Sequence, residues 1–314
     1  MSKIRIEIEP PDLSAYRAGN TGIPYVTRFD SFRPGPFVVV NALIHGNELC
    51  GAAALDHLFR QGPRPARGAL GLVFADVEAY AGFDPADPLA SRYLDEDMNR
   101  VWDKNTLDGK RSNSELKRAR ALRPVFESAD FLLDLHSMQS SSTPLILTGL
   151  TDKSLALARR VGSPALIVRD QGHAAGPRLR DYGAFADESA PQTALLVECG
   201  QHWEKASAET SIAVTLRFLA ATGILEESEC ARILAAPAPA QRVIAVTEAV
   251  TVASPDFRFL EDYRGLEIIP KAGTVIAQDG GRPIKTPYDD CVLIMPSRYL
   301  SPSQTAVRLG RYDD

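Results

Sequence analysis

Cysteine is scarce in this chain. Its four cysteines, Cys50, Cys199, Cys230 and Cys291, are far apart and form no CxxC pair. That spacing argues against a disulfide framework or a thiolate zinc site, and makes a reducing compartment, the cytoplasm, the expected location. Basic charge is not in surplus. Lys and Arg number 35 against 40 Asp and Glu, a net charge of −5, and no Lys/Arg run is present. There is therefore no electrostatic case for a nucleic-acid partner. No apolar stretch approaches the roughly 20 residues needed to span a bilayer. The opening MSKIRIEIEPP is polar and ends in prolines, unlike a secretory leader, so no membrane partner is expected. Repeats and low-complexity tracts are also lacking. What remains is an ordinary balance over 314 residues, 45% hydrophobic and 24% charged, enough to bury a substantial core without staples.

The first two thirds alternate between strand-like and helix-like text. Phe37–Ile44 (FVVVNALI) reads as a strand covered on both faces. Glu48–Gln61 follows as a helix, with Gly62 as its stop. Ala69–Val77 is a second predicted strand, and 78–113 is a long irregular segment rich in Pro, Asp and Arg, a length that is often functional. Ser112-Asn-Ser-Glu115 has the pattern of a capping box opening a helix through Ser128. Phe131–Leu135, Ala165–Val168 and Ala194–Val197 are further strands, and Ser154–Val161 and Thr210–Ala221 further helices. The alternation predicts an α/β fold, a mainly parallel mixed sheet flanked by helices, in a domain spanning 1–230. At 235–241 the text turns to the linker-like APAPAQ. The short runs beyond it, separated by turn material such as Asp279-Gly-Gly281, predict a small C-terminal β domain over 241–314.

Three of the predicted strands run into residues capable of catalysis. The first leads to His45 and Glu48, the second to His136, the third to Glu198. Ligands bind beyond the carboxyl ends of strands in open α/β sheets, so parallel strands would bring these four side chains to one crevice. Two imidazoles and a carboxylate suit one catalytic Zn²⁺ per chain, leaving the fourth position for water; Co²⁺ or Mn²⁺ also accept such ligands. Glu198 is then the candidate to take a proton from water and return it to a leaving amine. Each motif has a plainer reading. HxxE arises by chance, His136 can be a satisfied core histidine, and Glu198 can be structurally paired. Their shared position at strand ends, and the cost of burying an unpaired carboxylate, favour the functional reading. Asp134, two residues before His136, either orients that imidazole or simply ends its strand in water. In Arg92–Trp102 (RYLDEDMNRVW), Arg92, Asn99 and Arg100 are donors suited to a carboxylate, although alone the segment reads as a solvated loop. His173 and His202 read as loop histidines, with pocket lining as the other reading. Cys199 reads as a core filler on the strand face opposite Glu198, and His57 as lying on the exposed side of its helix.

In combination and in this order, HGNE (His45–Glu48), RYLDEDMNR (Arg92–Arg100), DLHS (Asp134–Ser137) and VECG (Val197–Gly200) resemble the succinylglutamate desuccinylase/aspartoacylase family, zinc-dependent relatives of the metallocarboxypeptidases. The resemblance implies that His45, Glu48 and His136 bind zinc and that Glu198 is the general base and acid. It further implies that Asn99 and Arg100 hold a substrate carboxylate and that Arg92 polarises the scissile carbonyl. The implied reaction is metal-assisted hydrolysis of a small N-acyl amino acid or related amine. Ten residues before Glu198, where aspartoacylases carry a substrate-binding arginine, stands Glu188; Arg178 and Arg180 lie nearby in GPRLRDYG. Tyr288 and Tyr299 are both candidates for the family's C-terminal tyrosine. Two other readings stay open: a metallocarboxypeptidase acting on peptides, and a non-catalytic carboxylate-binding protein. A homo-oligomer is compatible with each.

Overall fold

The continuous apolar runs of the first half pair side by side in a computed structural model, which describes residues 5–172, 175–297 and 300–313. The strands in chain order are β1 (Val26–Asp30), β2 (Phe37–Ala42), β3 (Ala69–Phe74), β4 (Phe131–Met138), β5 (Leu145–Leu147), β6 (Leu166–Arg169), β7 (Thr193–Gln201), β8 (Arg242–Thr251), β9 (Arg258–Phe259), β10 (Ile268–Ile269), β11 (Val275–Asp279), β12 (Arg282–Lys285), β13 (Cys291–Ile294) and β14 (Thr305–Tyr312). The helices are α1 (Leu49–Gln61), α2 (Val77–Ala81), α3 (Lys104–Asp108), α4 (Ser114–Glu127), α5 (Asp152–Val161), α6 (Lys205–Thr222) and α7 (Glu227–Ala235).

Eleven strands form one sheet in the order β1-β3-β2-β4-β7-β5-β6-β8-β14-β13-β10. The block β3-β2-β4-β7 is parallel, as are β5-β6-β8. Strands β9, β11 and β12 make a small antiparallel sheet. The fold is mixed α/β, a large mainly parallel sheet flanked by helices with a small antiparallel sheet in the C-terminal part.

Strand periodicity sorts the side chains. Val38, Val40, Leu133, Leu135, Leu195, Val197 and Cys199 point to one face and pack under α1 and α6 with Leu55 and Phe218. Val39, Leu132 and Ala194 point to the other and meet Leu116, Leu122 and Phe126 of α4. Two-residue spacing places Asn41, Asp134, His136 and Glu198 on this second face. Cys199 is fully buried on the first, as the sequence predicts. Gly62 and Gly223 end α1 and α6 in the left-handed region, with φ of 66° and 69°.

Several boundaries differ from expectation. The strand predicted over Ala69–Val77 stops at Phe74, because Asp76 accepts from the backbone N–H of Ala79 (3.1 Å) and caps α2. Helix α6 starts five residues earlier than predicted, at Lys205. The capping box is not formed. Asn113, not Ser112, caps α4, accepting from Leu116 N–H (2.9 Å). Glu115 turns away from the helix end. Fully buried, it accepts from the backbone N–H groups of Leu94 (2.6 Å), Asp95 (3.2 Å) and Glu96 (3.3 Å). One carboxylate thus orders the segment that carries Arg92, Asp97, Asn99 and Arg100. Replacing it removes the acceptor of three part-buried backbone donors, each bond to a charged acceptor contributing about 1 kcal/mol or more. Glu115→Ala should therefore lower the unfolding free energy by roughly 2–4 kcal/mol in urea titration; an unchanged midpoint would show that the segment holds itself.

Candidate active site

Beyond β2 the chain leaves the sheet through Leu43, a buried residue at φ 60°, a conformation most L residues avoid. Gly46 follows. A Cβ there would come within 2.4 Å of Tyr80 N and 2.5 Å of Ser91 O, and its N–H donates to Arg92 O (3.0 Å). Glycine in HGNE thus lets the arginine-bearing segment lie directly against the histidine turn. Glu48 is the residue that precedes α1.

His45, Glu48 and His136 are brought together, each nearly fully buried, with one ligand atom from each within 4.8 Å of the others. The Nδ1 atoms face opposite oxygens of Glu48: His45 Nδ1 is 2.7 Å from Oε1 and His136 Nδ1 is 3.0 Å from Oε2. Each Nε2 has a carboxylate behind it, Asp97 Oδ1 at 2.9 Å for His45 and Asp134 Oδ2 at 2.9 Å for His136. His45 Nε2 also lies 2.9 Å from Arg92 Nη2. A ring nitrogen serves one of them at a time. With Nδ1 turned to a cation, Nε2 carries the hydrogen and donates to Asp97. Two carboxylate-backed imidazoles and a carboxylate fit a divalent metal in donor type and orientation.

The charges follow this geometry. Burial works against ionisation of Glu48, but His136 and His45 hold it well below the usual carboxylate range. Burial likewise disfavours His136 as a cation, yet Asp134 and Glu48 carry its pKa well above normal. Asp97 is held low by His45 and Arg92 despite its burial. Glu198 differs. Strands β4 and β7 pair His136 with Glu198 in register, so the two side chains stand abreast on one sheet face. Burial pushes the Glu198 carboxyl up to about 7, and its Oε2 has no hydrogen-bond partner among the described residues.

A cavity of about 450 Å³ opens over these residues. Arg92, Asn99 and Arg100 all line it. Arg92 contacts Asp97 (3.3 Å) and Glu48 (3.4 Å). Asn99 places Nδ2 3.4 Å from His136 Nε2, while its Oδ1 accepts from Leu179 N–H (2.8 Å). Arg100 donates to Asn99 O (2.7 Å).

Other residues fall where the sequence did not put them. His202 is not a plain loop histidine: it lines the cavity, is almost fully buried, and pairs through Nδ1 with Ser137 Oγ (2.8 Å). Burial lowers its pKa to about 3, so it is neutral. Glu188 is exposed and caps α5, accepting from Asp152 N–H (2.8 Å), so it raises no repulsion in the cleft. Arg178 lines the cavity; Arg180 is buried beside Asp181. Tyr288 bonds Thr247 (2.5 Å) away from the cavity lining, whereas Tyr299 and His173 lie outside the described residues. His57 is half-buried on α1, less exposed than expected. Asp97 and Arg308 are among the cavity residues that were not singled out from the sequence. Asp97 sits inside the quoted RYLDEDMNR, two positions before Asn99. Arg308 interrupts the apolar run AVRLG, and a cation so flanked in a strand was its available signal.

Residues 34–222 match the family model described as the succinylglutamate desuccinylase/aspartoacylase catalytic domain. The chain belongs to that family. Among curated proteins, it is 30% identical to an aspartoacylase of Xenopus tropicalis over 105 residues, 31% of this chain and 32% of that one. It is 31% identical to an aspartoacylase of Mus musculus over 106 residues, with shares of 31% and 32%. The matched stretch spans about a third of those relatives. Among solved structures, a succinylglutamate desuccinylase from Vibrio cholerae superposes with a TM-score of 0.67 at 17% identity, covering 93% of this chain and 88% of that one. The product-bound ectoine utilization protein EutE (DoeB) from Ruegeria pomeroyi gives 0.62 at 16%, covering 91% and 88%. These structural likenesses are of fold.

A folded-state pKa raised above the ordinary 4.5 means that the stability Glu198 contributes is present below 4.5 and lost as pH climbs through about 7. In chelator-treated protein, Glu198→Gln should therefore gain roughly 2–3 kcal/mol on its parent between pH 5 and pH 8. A difference that stays constant across that range would show an ordinary carboxyl.

Proposed function

We propose that the protein is a zinc-dependent hydrolase that cleaves the amide bond of a small N-acyl amino acid or related N-acylated amine. The observation that carries this reading is Glu198, a buried carboxylate with an oxygen that has no partner among the described residues, abreast of His136 in a cavity that also holds Glu48 and His45. His45, Glu48 and His136 would hold the ion. A zinc ion so bound supplies Lewis acidity, which activates water and polarises a carbonyl.

The chain's own groups do the rest. Glu198, with a pKa of about 7, accepts the proton of the attacking water and delivers it to the departing nitrogen. Burial opposes the charge of Arg92, but Asp97 and Glu48 hold its pKa above the usual value. It stays cationic and donates to the oxyanion as the carbonyl becomes tetrahedral. Asn99 Nδ2 and Arg100 hold the substrate carboxylate and fix the amide over Glu198. Asp97 and Asp134 keep the imidazoles oriented.

The cavity, about 450 Å³, supports a small substrate over a peptide of many residues. A proton shuttle serves no purpose in a protein that only captures carboxylates, which favours catalysis over binding alone. The free cysteines suit a reducing cytoplasm, and no helix among the described residues is long and apolar enough to cross a membrane.

A panel of N-acetyl and N-succinyl amino acids and diamines, assayed with and without chelator, tests the reaction. Hydrolysis should require metal and return with zinc; chelator-insensitive turnover would contradict the proposal. Glu198→Gln should retain one zinc per chain yet lose about 10²–10⁴-fold in kcat. Full activity in that variant would remove Glu198 from the mechanism.

A further inference from the structure

One imidazole of the cavity has no task in the hydrolysis just described. His202 directly follows β7 and lines the cavity, yet it is only 1% exposed. Its backbone N–H donates to Met138 O (2.9 Å). Its ring lies edge-on to Trp203, with centroids 5.2 Å apart, and Trp203 Nε1 in turn donates to Asn47 O (3.2 Å). The ring is thus held between its own backbone bond and a tethered indole. Burial lowers its pKa to about 3, with Arg92, His45 and His136 acting the same way against Glu48. It is a neutral ring in an otherwise charged site.

A neutral imidazole has one donor and one acceptor. His202 Nδ1 faces Ser137 Oγ at 2.8 Å, while Nε2 is buried with no hydrogen-bond partner among the described residues. With the hydrogen on Nδ1, both the Ser137 hydroxyl proton and the Nε2 lone pair would go unmatched. With the hydroxyl donating to Nδ1, only the Nε2–H is left over. Buried orphans are costly, so the arrangement with one of them prevails over that with two. The position of this donor is set by the neighbouring bonds. Asn99 approaches His136 at Nε2 (3.4 Å), whereas Ser137 N–H reaches Glu48 Oε2, the oxygen that faces Nδ1 of the same ring. His45, Glu48 and His136 therefore stand between Asn99 and His202. An amide whose carboxylate is held at Asn99 and Arg100 extends its acyl group across them, toward His202. The residues joined there, Ser137, Met138 and Gln139, are uncharged, and Arg92 is already engaged by Asp97 and Glu48. A carboxylate taken out of water at that end would lack a matching cation; a hydroxyl or carbonyl oxygen needs none.

We propose that the Nε2–H of His202 selects the acyl group, donating to a neutral oxygen carried on the acyl chain beyond the scissile carbonyl. The proposal rests on the deacylase reading and narrows its substrates to hydroxyacyl or oxoacyl derivatives. A plain alkyl chain leaves the donor unmatched, and a carboxyacyl chain brings a charge that nothing at that end balances. Ser137 fixes the tautomer that makes His202 a donor.

Isothermal titration of zinc-loaded Glu198→Gln protein with N-acyl-alanines tests this through isosteric pairs: glycoloyl against propanoyl, 3-hydroxypropanoyl against butanoyl, and 4-hydroxybutanoyl against pentanoyl. In at least one pair the hydroxyacyl compound should bind about tenfold more tightly, and N-succinylalanine should bind no more tightly than the best of them. His202→Asn, which keeps a partner for Ser137 but loses the cavity donor, should cut that ratio at least threefold. His202→Gln, whose amide reaches the Nε2 position, should retain most of it. Ratios within twofold for all pairs overturn the proposal, as does a preference that His202→Asn leaves unchanged. Tighter binding of the succinyl compound that His202→Asn abolishes would assign the contact to a carboxylate and overturn the neutral acceptor. Long-range ¹⁵N spectra of histidine-labelled parent protein read the tautomer without ligand. The imidazole missing from either His202 variant should be neutral and carry its hydrogen on Nε2 at pH 5, where an ordinary imidazole is charged; a cation, or hydrogen on Nδ1, would contradict the proposal. Hydrolysis of alkyl and hydroxyacyl alanines with equal kcat/KM would sink the contact and leave the deacylase standing. His202-dependent binding of the hydroxyacyl compounds without any hydrolysis would do the reverse.

Discussion

Besides Asp134, which backs its ring, His136 has two buried carboxylates for neighbours, Glu48 and Glu198, and these two behave in opposite ways. Glu48 has a partner for each oxygen: an imidazole on either side and the backbone N–H of Ser137 at 2.9 Å. Its charge is stabilised far beyond the cost of burial. Glu198 has an oxygen with no hydrogen-bond partner among the described residues, and its proton is held to about pH 7. Two carboxyl groups pushed apart in this way can take different tasks, one gripping a cation and the other moving a proton. Remove the contrast and the cavity becomes a polar recess with no evident chemistry.

The sheet creates the contrast. Parallel neighbours β2, β4 and β7 end at the same edge, and their register sets Asn41 beside Asp134 and His136 beside Glu198. Asn41 Nδ2 donates to Asp134 Oδ1 (2.8 Å), leaving the other Asp134 oxygen to His136. Orientation of the imidazole therefore begins one strand away. From the opposite side, Glu115 holds the loop that delivers Asp97 to His45 and Arg92 to Glu48. Glycine 46 permits that loop to close on the histidine turn. His136 and Glu198 are thus placed by strand register, and Arg92 and Asp97 by a loop held on a buried acceptor.

Much of this was readable from the residues. Apolar runs that end in His or Glu, and helices that begin just after, told of parallel strands with polar groups at one edge, because a doubly covered strand cannot place such groups elsewhere cheaply. Other features were hidden for physical reasons. The strand β5 is three apolar residues, LIL, too short for any periodicity, and it enters antiparallel to β7. Asn113 and Ser112 are both competent caps, and the choice between them depended on Glu115 being needed elsewhere. Asp97 looked like one acid among several in a charged loop, and only the fold puts it behind His45. The buried role of Arg308 depends on Asp170, 138 positions earlier in the chain, a pairing that no local pattern announces.

The most direct test of the account is a zinc-edge anomalous difference map from crystals of the zinc-loaded protein. One strong peak is expected per chain, within bonding distance of Nδ1 of His45, Nδ1 of His136 and a Glu48 oxygen, with the Glu198 carboxyl facing it but not bonded. A peak ligated by Glu198, or no peak among those three groups at saturating zinc, would contradict the division of labour between the two carboxylates.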